Sequence, residues 1–61
     1  MILVTKLDGN SVLLNVDNVK YIEDGADTIV HHTNGDTLIV KEKFEEMQSL
    51  ILDYQKKVFE K

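Results

Sequence analysis

The chain has 61 residues, 43% of them hydrophobic, and a formal net charge of −4. A chain this short is one small domain, 1–61, that buries only about 60% of the surface it exposes when unfolded. It has no cysteine and no arginine, which excludes disulfides and thiolate metal sites, and the acidic balance disfavours phosphate-rich nucleic acid and anionic membrane surfaces.

Ile2-Leu3-Val4-Thr5-Lys6-Leu7 reads as a first strand, with Leu3, Thr5 and Leu7 on one face and Ile2, Val4 and Lys6 on the other. Asp8-Gly9-Asn10 is a turn, since Gly and Asn tolerate φ > 0. Ser11 to Val16 returns as a second strand, with Val12, Leu14 and Val16 on one side. Asp17-Asn18 breaks it, and Val19-Lys20-Tyr21-Ile22-Glu23 is a third. After Asp24-Gly25-Ala26-Asp27 come two apolar runs joined at Asn34-Gly35. That pair predicts a β-hairpin closed by a two-residue type I′ turn, with both residues at φ > 0. Strands separated by so few polar residues pair antiparallel, because parallel strands need long crossovers.

From about Glu42 the apolar period changes. Phe44, Met47, Ile51, Tyr54 and Val58 form one stripe of a helix that should lie on the sheet. Glu42, Glu45 and Glu46 near its start and Lys56, Lys57 and Lys61 near its end complement the helix dipole. Lys41, Glu42 and Lys43 offer no good N-cap. The expected fold is therefore α+β: an antiparallel β-meander of about five short strands, all in one sheet, followed by one C-terminal amphipathic helix.

Leu50, Leu52 and Phe59 fall off the main stripe. They are either ordinary surface apolar residues or an interface with a second copy or another protein. The small core favours the interface, because small scaffolds often gain stability by association. Glu23, Asp24, Asp27 and Asp36 cluster around turns, where water keeps them ionised. They form either a solvated rim or an acidic docking patch for a basic partner.

Nothing here reads as an enzyme. His31 and His32 are neighbours on a strand and point to opposite faces, so they do not chelate one metal together. They are expected to be structural or solvated. No dinucleotide fingerprint, P-loop, calcium loop or nucleophile motif occurs, so no catalytic residue, metal or cofactor is expected. No apolar run approaches the ~20 residues of a membrane-spanning helix. Strand-like residues follow Met1 at once, without a basic leader and apolar core, so a cytoplasmic location is expected.

The chain resembles the small FlbD (SwrD) family of bacterial flagellar and swarming-motility proteins. The resemblance rests on Ile2-x-Val4-Thr5-Lys6-Leu7-Asp8-Gly9, then Leu14-Asn15, Ile22-Glu23, Asp27-Thr28, Thr33-Asn34-Gly35 and Val40-Lys41-Glu42, in that order and spacing. One departure is Lys43, where family members often place the Ser of a Ser-x-x-Glu capping box; Glu46 keeps its place three positions on. The resemblance implies a non-enzymatic cytoplasmic accessory, peripheral at the flagellar motor, that raises torque or power. Its implied partner is the stator or another motor component. A smaller resemblance, in Met1-Ile2-Leu3-Val4-Thr5, is to the RNA-binding carbon storage regulators. Another, in Tyr21-Ile22-Glu23 and the Asn-Gly hairpin, is to LytTR DNA-binding domains. These imply a nucleic-acid regulator, which the missing arginines and acidic charge disfavour.

Overall fold

The computed structural model describes the backbone of residues 1–59 and the side chains of residues 1–57. The element order is β1 (Ile2–Thr5), β2 (Ser11–Leu14), a 3₁₀ turn (Val16–Asn18), β3 (Val19–Asp24), β4 (Thr28–His32), β5 (Thr37–Val40) and α1 (Phe44–Phe59). This is the expected α+β meander with a C-terminal helix.

The strands do not form one sheet, as the sequence suggested. β1 and β2 make a two-stranded sheet, and β3, β4 and β5 a three-stranded one, all antiparallel. Among the described residues the two sheets are joined by an isolated bridge where β1 and β5 end. Lys6 bridges to Val40, and the Lys41 N–H donates to the Thr5 carbonyl at 2.8 Å. Beyond Thr5 the chain turns back through its own hairpin, so the pairing with β5 cannot extend.

The hairpin at Asn34-Gly35 forms, but its turn is not type I′. Among the described residues only Gly9 and Gly35 have positive φ, at 91° and 95°, and Asn34 does not. The Gly35 N–H donates to the His32 carbonyl (3.0 Å) and the His32 N–H to the Asp36 carbonyl (2.8 Å). This is a three-residue loop whose glycine makes the left-handed bulge. Asn34 is held by Asp36 from two sides: the Asp36 N–H donates to Asn34 Oδ1 (2.9 Å), and Asn34 Nδ2 donates to Asp36 Oδ2 (3.1 Å). The β1–β2 turn repeats the design. The Gly9 N–H donates to Lys6 (2.9 Å), the Lys6 N–H to Asn10 (2.8 Å), and the Asn10 N–H to Asp8 Oδ1 (2.9 Å). That last bond leads in holding the Asp8 carboxyl below its ordinary pKa.

The core lies between the sheets and the helix. Ile2, Val4, Leu14, Val30, Val40 and Met47 are buried, with Val12, Ile22, Leu38 and Ile51 among the half-buried residues around them. Ile2 and Val4 therefore form the inner face of β1, and Leu3 faces out. In the helical stripe Met47 is fully buried, whereas Phe44, Ile51 and Tyr54 are half-buried. The side chain of Val58 lies outside the described residues.

The helix begins at Phe44 rather than near Glu42 because residues 41–43 make other bonds. Lys41 pairs with Thr5, and Glu42 Oε1 accepts from the Thr5 N–H at 2.8 Å. Lys43 takes the cap position without a capping side chain. Its N–H donates to Glu46 Oε1 at 3.3 Å, so the return half of a capping box survives where the Ser is missing.

Candidate functional site

The strand pairing decides which edges of the sheets are open. The His32–Asp36 bond sets the phase of β4, whose even residues bond β5 and whose odd residues bond β3. The Gly25 N–H to Asp27 carbonyl bond (3.2 Å) fits the same phase. Tyr21 and Glu23 thus bond β4, and the N–H and C=O groups of Ile22 and Asp24 point to the free edge of β3.

Beside that edge, α1 and β3 leave an apolar groove of about 300 Å³. Val19, Ile22, Phe44, Gln48, Ile51 and Leu52 line it. Leu52 is half exposed. Leu50 sits on the other flank of the helix, in a smaller groove with Met1, Leu3, Asp53 and Tyr54. The structure therefore places Leu50 and Leu52 in different clefts. The side chain of Phe59, the third residue of that expected interface, lies outside the described residues.

The acidic residues separate too. Glu23, Asp24 and Asp27 gather near the β3–β4 turn. Asp36 lies past the β4–β5 turn, with the length of β4, roughly 15 Å, between them. Asp24 and Asp27 share a cleft of about 490 Å³ with Lys41 and Lys43, so its charge is mixed. Glu23 is turned outward along β3. Its Oε1 lies 3.0 Å from His31 Nε2, and the His31 ring stacks on Tyr21 with centroids 4.3 Å apart and planes at 21°. His32 Nδ1 lies 3.2 Å from the Asp36 carbonyl. The two histidines thus have separate protein partners. Among the described residues no group of three or more His, Cys, Asp or Glu could hold a metal ion.

One surface went unremarked in the sequence. Leu3 and Leu13 are directly opposed across β1 and β2, and both are more than 60% exposed, as is Met1. The alternation that puts Val12 and Leu14 on one side of β2 puts Leu13 on the other. Among the described residues no helix is long and apolar enough to cross a membrane.

The FlbD family model, described as flagellar and swarming motility proteins, matches residues 1–59. No curated protein and no solved structure matches the chain.

Proposed function

Because the chain belongs to the FlbD family of flagellar and swarming motility proteins, we propose that it serves that role through protein–protein contact, as a non-enzymatic accessory of the flagellar motor. The stator, or a motor component beside it, is the proposed partner, and torque or power the proposed output. The protein would work in the cytoplasm, peripheral at the motor.

The observation that carries this reading is the outward-facing apolar surface. Leu3, Leu13 and Leu52 are each about half exposed or more, the first two paired across β1 and β2 and the third beside the β3 groove, and exposed apolar clusters mark contact sites. Acidic groups at Glu23, Asp24, Asp27 and Asp36 supply charge for a basic partner. Leu50, Leu52 and Phe59 remain the proposed helix contacts, either with that partner or with a second copy in a homo-oligomer.

The test is a folded surface variant in cells. Leu52→Glu should reduce swarming while leaving the circular dichroism spectrum and protein level unchanged. Normal swarming by Leu3→Glu, Leu13→Glu and Leu52→Glu alike would remove protein contact through these surfaces. Sedimentation of Leu52→Glu with Phe59→Glu reads the oligomer: a smaller mass than wild type supports self-association through the helix.

A further inference from the structure

We propose that the free edge of β3 and the groove beneath it bind an extended segment of a partner protein as an added β-strand, with apolar residues alternating with lysine or arginine. This deepens the reading that the chain acts through a protein partner, and rests on it.

Three observations converge on one place. Among the described residues the N–H and C=O groups of Ile22 and Asp24 have no strand to bond on their open side, as the pairing phase requires. A strand laid there would satisfy both, the mode by which edge strands capture extended peptides. Second, residues of that strand opposite Ile22 would point inward, because Ile22 itself lies on the inner face with Val30 and Leu38. There they would meet Phe44, Gln48 and Leu52 across the groove. The groove, about 300 Å³, has room for a few aliphatic side chains, and none of the described residues that line it is charged. Third, the intervening residue would point outward, next to Glu23, whose side chain is more than half exposed beside His31. Asp24 and Glu45 are exposed nearby, at the end of β3 and in the first turn of α1. An apolar–basic–apolar alternation therefore fits both faces, and an apolar–acidic one would set like charge beside Glu23.

The bulge between Val19 and Tyr21 limits the reach. It bends β3 before Tyr21, so the regular edge runs only from Tyr21 to Asp24. The captured segment is accordingly short, with its apolar anchor opposite Ile22. A second copy of this chain fits less well. Paired antiparallel with Ile22 opposite Ile22, it would set Tyr21 rather than a basic residue opposite Glu23, and the bulge before Tyr21 takes its Lys20 out of regular pairing with Asp24.

The test uses the full chain, isotope-labelled, with a capped peptide of about eight residues alternating valine and lysine. The expected result is amide shifts confined to β3 and the Phe44–Leu52 part of α1, with slowed exchange of the Ile22 and Asp24 N–H groups. Asp24→Pro removes one edge donor without touching a β3–β4 bond, and should weaken binding about tenfold, with Asp24→Asn weakened less. Leu52→Glu, at an exposed position, should weaken it as well. A valine–glutamate peptide should not bind. Four results would overturn the proposal: no shifts at about 1 mM peptide, shifts centred on Leu3 and Leu13, unchanged affinity in Asp24→Pro, or edge amides already protected in the free protein in proportion to its concentration. Recovery of a motor protein by crosslinks at Leu13 alongside any of these would sink the strand addition and leave the motility contact standing.

Discussion

Glu42 accepts a hydrogen bond from the backbone N–H of Thr5, 2.8 Å away and 37 residues earlier in the chain. Together with the Lys41–Thr5 bond, it fastens the small β1–β2 sheet to the junction between β5 and α1. Glu42→Ala leaves the half-buried Thr5 N–H without that carboxylate. The expected loss is about 1–3 kcal/mol of stability, read as a lower urea midpoint at unchanged slope. Glu42→Gln, which keeps an acceptor, should lose less.

The same bond makes stability depend on pH. Burial pushes the Glu42 carboxyl up, but the hydrogen bonds from Thr5 outweigh it, and the folded-state pKa ends below the ordinary 4.5. A depressed carboxylate contributes stability that is fully present above its unfolded pKa and lost as pH falls through the folded one. Urea midpoints should therefore hold steady above about pH 5 and decline below 4.5, with a shallower decline in Glu42→Gln. Parallel declines in both proteins would assign the acid sensitivity to other carboxylates.

Gly9 and Gly35 sit in the left-handed region, and a Cβ built on either meets nothing within 4 Å. The cost of Gly35→Ala is thus one of backbone conformation alone, about 1 kcal/mol. Gly35→Asn should recover part of it, because asparagine tolerates that conformation. Equal losses for alanine and asparagine in thermal denaturation would point to a different turn.

Met47 is fully buried at the centre of the helix stripe. Met47→Ala should cost about 2–5 kcal/mol, enough to unfold much of a 61-residue domain at ambient temperature. Met47→Leu should stay folded in the same circular dichroism experiment.

Local signals carried most of the fold. Alternation marked each strand, and the change of period from about Glu42 marked the helix, two residues before its observed start at Phe44. The turn at Asn34-Gly35 was read as type I′ from two residues, but Asp36 one position on decides it, by binding Asn34 on both sides. Asn10 stands in the same relation to Asp8. The split into two sheets depends on Thr5 meeting Lys41 and Glu42, a contact between distant residues that no periodicity encodes. The candidate surfaces were legible only residue by residue. Leu50 and Leu52 look adjacent in sequence, yet two helical steps send them to opposite flanks. The groove by Leu52 needs β3 beside α1, which is a tertiary fact.

The most direct measurement is photo-crosslinking in swarming cells, with the reactive side chain placed in turn at the exposed positions Leu13, Lys20 and Leu52. Protein contact at the flagellar motor predicts that at least one position captures a stator or other motor component, and that the capture disappears in cells lacking that component. Capture of RNA or DNA at these positions, or of no motor protein at any of them, would contradict it.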